Sequence, residues 1–434
     1  MTFSVRAPAR PRPLRRTAVA VAGTALALLA VGSTAPAAQA AGHHHGKPPK
    51  ATHYAFRAVS WGTRVRGGQI PASSGTTSYQ AIACTNRLGT AKENQLASAT
   101  LPGLGVLQGV HATTGTTGSG DDVSTYATHE IASLALEVPN VLGLQVKAIE
   151  ATSVASHDAG GYHASTDVKV AHIVLTVAGQ SAVDLPIPKP GSPVVVPGLL
   201  SISIGKEKRV TSPAGAIAKA EGLVIQVIPT GTKVQVAHTA TKLDTGIKRG
   251  LFFGKANATQ VKALGDLVHS GPQPLQVIPC KGTDGATRTK SIAGVDLPGV
   301  LQASAAATAV NGKQTGKRAT GFTSASVAHA DVLGGTLVLD AIRARTHVTR
   351  TKHDVHADSD GTTIGEVLLN GQPISLAALD DLEIPGVLRV DTDVVTRTKS
   401  GIEVVGVRIT LLDGTGAVID LAHAALNISG SGLD

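Results

Sequence analysis

The sequence predicts an all-β protein: two tandem sandwich-like domains written by an internal duplication, with one larger sandwich or barrel spanning both copies as the alternative. Three observations predict it. Apolar and polar residues alternate with period two through much of the chain, the mark of half-buried strands. Gly, Ala, Val and Thr are abundant, with 49 Gly, one Met and one Trp among 434 residues, so the cores must be built from small and branched aliphatic side chains. One long block of sequence also occurs twice, and a repeat of that length sets the architecture before any other feature.

The repeat is clearest around the two cysteines. Ser74-Gly75, Gln80, Ile82, Cys84 and Leu101-Pro102-Gly103 recur as Ser270-Gly271, Gln276, Ile278, Cys280 and Leu297-Pro298-Gly299, each pair offset by 196 residues. Further on the offset drifts as loops change length. Lys147-Ala148-Ile149-Glu150-Ala151 matches Asp340-Ala341-Ile342-Arg343-Ala344, Gly179-Gln180 matches Gly371-Gln372, and Val236-Ala237-His238 matches Leu421-Ala422-His423. The copies are placed at residues 54–247 and 248–434.

In chain order, the N-terminus reads as an export signal. Arg6, Arg10, Arg12, Arg15 and Arg16 form a basic segment, Thr17 to Val31 is a short apolar run, and Ala38-Gln39-Ala40 is a small-x-small cleavage pattern. Residues 1–40 are thus expected to be removed, by the general or the twin-arginine route, and the apolar run is too short for a permanent bilayer anchor. Residues 41–53 lack periodicity and read as a flexible lead-in. Within the copies, Leu200, Ile202 and Ile204 alternate with Ser201, Ser203 and Gly205, and Leu388, Val390, Thr392 and Val394 with Arg389, Asp391 and Asp393. Hairpins are expected at Leu223–Val236, turning at Pro229-Thr230-Gly231, and at Val407–Leu421, turning at Asp413 to Gly416. Pro-Gly pairs at 102–103, 197–198, 298–299 and 385–386 suit type II turns leading into new strands. Leu376 to Leu382 allows at most a short helix.

Charge and compartment narrow the function. Five of the 39 Lys and Arg residues leave with the signal, so the mature chain carries 34 basic against 30 acidic residues, a net +4 rather than +9. So small a charge argues against nucleic acid, as do aromatics at 2% of the chain. No later segment is apolar enough to span a membrane, and Asn427 to Asp434 is short and polar. Export places Cys84 and Cys280 in an oxidising compartment, and equivalent positions can meet across a pseudo-twofold axis. A single disulfide joining the copies is expected, the alternative being two buried or intermolecular thiols.

Ser324-Ala325-Ser326-Val327-Ala328, Val332-Leu333-Gly334-Gly335 and Leu339-Asp340-Ala341-Ile342-Arg343-Ala344 resemble the choice-of-anchor P family of secreted actinobacterial proteins. Ser270-Gly271 to Cys280 and Leu297-Pro298-Gly299-Val300 are similar to it as well. The likeness covers roughly residues 251–344 and is weaker in the first copy. It implies a secreted or wall-associated protein of unassigned activity, with no catalytic residues to carry over. The chain departs from the family pattern in showing no C-terminal anchoring signal. It also has Thr152-Ser153 and Arg345-Thr346 where members place a second Cys.

Candidate ligand chemistry concentrates at one hairpin tip per copy: His157, Asp158, His163 and Asp167 in the first, His353, Asp354, His356 and Asp360 in the second. Imidazole and carboxylate ligands suit Zn²⁺ or a similar divalent ion, and Gly361 gives the second tip a faint calcium-loop look; a solvated turn uses the same residues. Ala41-Gly42-His43, with His44 and His45, would offer Cu²⁺ or Ni²⁺ four nitrogens once residue 40 is cleaved from residue 41. His238 and His423 read as packed strand residues. No G-x-S-x-G, H-E-x-x-H, Walker or dinucleotide motif occurs, and the acid pairs Asp121-Asp122 and Asp380-Asp381 fall in loops. The expected function is a secreted, non-catalytic structural or adhesive module whose partner is a cell-wall polymer or surface protein. A metal-dependent or carbohydrate-binding protein using the His/Asp tips is the alternative.

Overall fold

The computed structural model describes residues 51–67, 76–101, 104–262, 270–380 and 382–433. The expected signal, residues 41–50 with their histidines, Ser74-Gly75, Pro102-Gly103 and Asp381 lie outside the described residues. The chain opens with β1 (Ala51–Arg66), β2 (Gln80–Arg87) and β3 (Ala91–Leu101). Four long strands follow: β4 (Gly105–Ser119), β5 (Asp122–Val138), β6 (Leu142–Asp158) and β7 (Gly161–Val177). Short β8 (Val183–Leu185), β9 (Val194–Val196), β10 (Leu200–Ile204) and β11 (Lys208–Ser212) lead to β12 (Gly215–Val227) and β13 (Thr232–Thr245). The second half repeats this course with β14 (Gly250–Lys262), β15 (Ser270–Val277), β16 (Arg288–Leu297), β17 (Leu301–Gln314), β18 (Ala319–Val332) and β19 (Leu337–Arg350). It continues through β20 (Val355–Asp358), β21 (Val367–Leu369), β22 (Gln372–Pro373), the single-turn helix α1 (Leu376–Leu379) and β23 (Glu383–Ile384). Strands β24 (Leu388–Thr398), β25 (Gly401–Leu411) and β26 (Val418–Gly430) complete it.

The strands form four antiparallel sheets, and each sheet draws on one half only. In the first half β2-β1-β13-β12-β10-β9, with β11 beside β12, stacks on β3-β4-β5-β6-β7-β8. In the second, β15-β14-β26-β25-β24-β23 stacks on β16-β17-β18-β19-β21-β22, with β20 beside β19. The protein is therefore a pair of sandwiches and not one barrel across both halves. Strand β1 begins at Ala51, inside the stretch expected to be lead-in. The Pro-Gly turns form as the residues dictate: Gly198, Gly299 and Gly386 have φ of 73°, 74° and 72°. At all four sites the residue after the turn donates its amide to the carbonyl three residues back, at 2.9–3.0 Å. Helix α1 is capped by Ser375, whose hydroxyl accepts from the Ala378 amide at 3.2 Å.

Each sandwich encloses its own aliphatic core. Phe56 and Phe252, equivalent residues on β1 and β14, are the largest fully buried side chains. Gly282, Gly312 and Gly321 lie so close to the Phe252 ring that an added Cβ would sit 3.0–3.1 Å from it, so these glycines make the room a ring needs in a core otherwise built from Leu, Ile, Val and Ala.

The long strands share a further feature. Partway along, each shifts its buried residues by one position. On β6 the buried set runs 142, 144, 146 and resumes at 149, 151, 153; on β13 it runs 232, 234, 236 and resumes at 237, 239, 241. A uniform strand cannot do this, because side chains alternate faces without exception. The shift falls on a left-handed residue: φ is 50° at Ala148, 55° at Ala237, 47° at Ala305, 50° at Ala341 and 54° at Ala422, and 59° at Gly109. Neighbouring strands skip a pairing at the same level, so the shifts line up into a crease across each sheet: Gly109, Ala132, Ala148 and Ala171 in one, Ala258, Ala422, Gly406 and Asp393 in another. The left-handed residues alternate with ordinary ones from strand to strand. Nearly every crease residue is Gly or Ala, since a larger side chain is strained at the left-handed positions and crowded beside them: a Cβ on Gly222 would meet that of Ala237 at 3.0 Å. Creases of facing sheets interlock. A Cβ on Gly222 would meet Ile149 at 3.1 Å, and one on Gly406 would meet Ile342 at 3.1 Å. The recurrent Ala-Ile-x-Ala sequence is thus the crease residue followed by the isoleucine that fills the opposite crease.

Cys84, on edge strand β2, and Cys280, just after edge strand β15, are disulfide-bonded with their Cα atoms 5.6 Å apart, as the symmetry of the repeat predicts. Ala55, Ile247, Leu251 and Leu433 pack around the bond. The C-terminal segment is tied into this junction: the Asn86 side-chain amide donates to the Ser431 carbonyl at 2.6 Å, and the Ser431 hydroxyl donates to the Lys248 carbonyl at 2.9 Å.

Two outcomes follow from this geometry. Ala148 is exposed, so its substitutions report backbone strain: Ala148→Val lowers and Ala148→Gly raises stability, each by ~1 kcal/mol, in chemical denaturation. Thiol titration of the denatured, unreduced chain finds no free cysteine. Cys84→Ser with Cys280→Ser lowers stability by at most ~5 kcal/mol, the loop-entropy limit for closing so long a segment.

Candidate functional site

The hairpin tips assemble only part of the expected ligand set. In the first half β6 and β7 pair His157 with Tyr162 and Asp158 with Gly161. His163 Nε2 lies 2.9 Å from Asp158 Oδ1, and the Gly160 amide donates to the same oxygen at 2.7 Å. Those two hydrogen bonds, the imidazole's first, hold the Asp158 carboxyl below its ordinary range. His157 turns the other way. Its Nδ1 donates to the Asp121 carbonyl at 2.8 Å and lies 3.1 Å from the Tyr54 hydroxyl, leaving Nε2 as its free lone pair. Tyr54 in turn donates to Asp121 Oδ1 at 3.4 Å, and burial followed by that carboxylate pushes its pKa up to about 12. Asp167 pairs with Thr152, five positions back along the hairpin, or about 17 Å from the tip. There it contacts Lys169 at 3.2 Å.

In the second half the collecting carboxylate is Asp358, with His347 Nδ1 at 3.2 Å and His356 Nε2 at 3.5 Å. Asp354 closes a turn with Thr351, whose hydroxyl accepts the Asp354 amide at 3.1 Å; His353 lies in the same turn, and the Asp360 amide donates to Asp358 Oδ1 at 3.3 Å. His347 and Asp358 are brought opposite each other by the β19–β20 register, which no spacing in the sequence reveals. Among the described residues, no group of three or more His, Cys, Asp or Glu side chains is arranged to hold a metal ion.

A second cluster lies on the outer face of the first half's β1-β13-β12 sheet. Register places Trp61, His238 and Glu221 in one row across the three strands. The crease at Gly62, Ala237 and Gly222 runs beside this row. It also turns Arg64 onto the same face as Trp61, although residues three apart on a uniform strand point opposite ways. The result is a stack: the indole lies on the His238 ring at 4.5 Å between centroids and 15° between planes, and the Arg64 guanidinium sits 5.0 Å from the indole centroid. Trp61 is consequently only 6% exposed.

Around the stack opens a cleft of about 500 Å³, walled by Arg66, Lys219 and the β10–β11 segment with Lys206, Glu207 and Lys208. Its positive charge is largely unanswered. Glu207 is occupied by Arg209, and Glu221, hydrogen-bonded by Gln235, has its pKa raised by burial. Burial and then neighbouring cations lower the pKa of Lys219, beside Lys208 and Arg57, and of Arg64, beside Arg66. His238 is lowered to about 4 by burial first, then by Lys219 and Arg64, and is neutral at physiological pH.

The equivalent face of the second half is neutralised. Asn257 stands at the position of Trp61 and Glu403 at that of Lys219. His423 Nε2 lies 2.7 Å from Glu403, and Arg408 binds Asp420 through two contacts at 2.7 and 3.2 Å. Both histidines are packed strand residues, as the sequence suggests. The cleft itself was not foreseen, because its members are scattered from residue 61 to residue 238 and only register and crease assemble them.

His129, on β5 and fully buried, meets the Ser60 hydroxyl at 2.8 Å through Nδ1, and burial followed by His111 and His238 lowers its pKa to about 3. With folded values below the ordinary 6.5, the unfolded chain binds these protons first. Stability is therefore complete above about pH 6.5 and falls as pH drops toward 4 and then 3. Imidazole NMR titration finds His129 and His238 neutral at about pH 5, where an ordinary histidine is charged.

Comparison of the chain with protein-family models, with curated proteins and with solved structures returns no match, and the functional reading rests on this geometry.

Proposed function

We propose that the protein is a secreted, non-catalytic structural or binding module of the bacterial exterior, similar in kind to the choice-of-anchor P proteins. The observation that carries this reading is the covalent junction: two rigid sandwiches tied edge to edge by Cys84–Cys280. Such a bond persists in an oxidising compartment and keeps two outward faces in a fixed relation. The basic N-terminal segment with its short apolar run agrees with export.

A non-catalytic role is supported by the titrating groups. A general base at neutral pH needs a pKa near 7. Burial drives His129 and His238 in the opposite direction, to about 3 and about 4. The Asp158 carboxylate is solvent-exposed and that of Asp358 partly so, each held by its own turn, without the dry, pre-organised setting that catalysis requires. One observation favours a second reading, metal or carbohydrate binding at the first tip: His157 presents an unused Nε2 beside Tyr54 and Tyr162.

The test is a pull-down of the mature chain with isolated cell-wall fractions and soluble glycans, run beside turnover assays on glycan, ester and peptide substrates. Retention on wall material without turnover is the expected outcome. Turnover abolished by a single substitution would overturn the non-catalytic reading. Equilibrium dialysis with Zn²⁺, Cu²⁺ and Ca²⁺, on a chain with His43, His44 and His45 changed to Ala, tests the second reading through loss of binding in His157→Ala.

A further inference from the structure

We propose that the cleft over Trp61 is a binding site for an acidic polysaccharide, whose phosphate or carboxylate oxyanions are taken by Arg64, Arg66, Lys206, Lys208 and Lys219. This deepens the binding-module reading and rests on it. Three features point to such a ligand.

The first is an excess of positive charge. Those five cations line one open cleft with two carboxylates, Glu207, paired with Arg209, and Glu221, which is hydrogen-bonded by Gln235 and also acts on Arg64 and Arg66. The same lattice of positions in the second half carries Arg408–Asp420 and His423–Glu403, so the fold does not itself require bare cations there. Burial and mutual repulsion depress Lys219 and Arg64, and an oxyanion seated between them would relieve both effects.

The second is pre-organisation. The Arg64 guanidinium lies over the indole, which is itself stacked on neutral His238. A guanidinium held against a ring that is fixed in turn is pre-positioned for contact with phosphate or carboxylate. The third is the kind of polyanion that fits. The cleft's Trp61 is only 6% exposed and offers little ring surface to a nucleobase, so a polymer without aromatic groups is favoured over single-stranded nucleic acid. The cleft's volume, about 500 Å³, accommodates one or two sugar units, and its openness to solvent lets a chain pass through.

The experiment uses the mature chain and four polymers: polygalacturonate for carboxylates, poly(glycerol phosphate) for phosphodiesters, neutral dextran, and single-stranded DNA. Lys206, Lys208 and Lys219 stand on the outer face of the sheet, outside the aliphatic core, so K206E/K208E/K219E leaves the core intact; K313E/K317E, on exposed lysines of the second half, is the control. We expect binding to at least one acidic polymer, weakening as salt rises, with no binding to dextran. The triple variant should lose about ten-fold or more in affinity while the control stays within about two-fold, and circular dichroism should show both folded. The carboxylate and phosphodiester arms decide which oxyanion is preferred. Unchanged affinity in the triple variant overturns the site, as does binding of single-stranded DNA tighter than either acidic polysaccharide. If neither acidic polymer binds yet wall fractions still retain the chain, the site fails and the binding-module reading survives. If acidic polymers bind but wall fractions do not, the site stands and that reading fails.

Discussion

The crease that crosses each sheet is the constraint on which the rest of this structure depends. Strands as long as β6 and β19 twist and must still keep apolar residues inward along their whole length. Setting one left-handed residue in alternate strands, at matching levels, lets the sheet bend and resume its alternation in the opposite phase. Residues that tolerate that conformation without a clash are Gly and, at modest cost, Ala. Composition follows from this. A core of facing creases has room for Ile149 against Gly222 and Ile342 against Gly406, but little for rings; among the described residues Phe56 and Phe252 are the fully buried phenyl rings.

Where the crease reaches the outer surface it also makes chemistry. Trp61 and Arg64 share a face because the strand between them changes phase, and the chain's single tryptophan thereby becomes the support for a cation. The second half has the same crease, with Ala258 and Ala422 in it, yet its outer row carries Asn257, His423 and Val405, and His423 meets the carboxylate of nearby Glu403. Two halves of one topology thus differ in electrostatics where each meets solvent. Surface positions of a sheet are free to vary once the inward positions satisfy the core.

The hairpin tips differ from the cleft in a way that explains why residue type alone misleads there. His, Asp and Gly are what a tight turn uses to satisfy its own backbone; the carboxylates of Asp158 and Asp358 each accept an amide of their own turn. A carboxylate already bonded by its own turn and a neighbouring imidazole has fewer free lone pairs for a ligand. The cleft's cations sit on paired strands and have few carboxylates within reach, and repulsion among them is the stored electrostatic cost that a ligand would release.

Period-two alternation, the Pro-Gly turns and the recurrence around Cys84 and Cys280 were legible in the sequence because each is local or depends on matching one segment with another. They determined the all-β class, the hairpins at Pro229–Gly231 and Asp413–Gly416, and the cysteine pair. The sequence also held the crease, as Ala-Ile-x-Ala and as the phase slip in the alternation, but nothing local shows that an alanine takes a left-handed conformation when neighbouring strands impose it. Tertiary structure alone decided that each sheet stays within its half, that Asp358 rather than Asp360 gathers the second tip's imidazoles, and that Asp167 stands away from its tip. It alone brought Trp61, Arg64, Lys208, Lys219 and His238 together. The physical reason is that strand register and crease position are set by hydrogen bonds and packing between segments far apart in the chain, and a one-residue change in either moves every side chain to the other face.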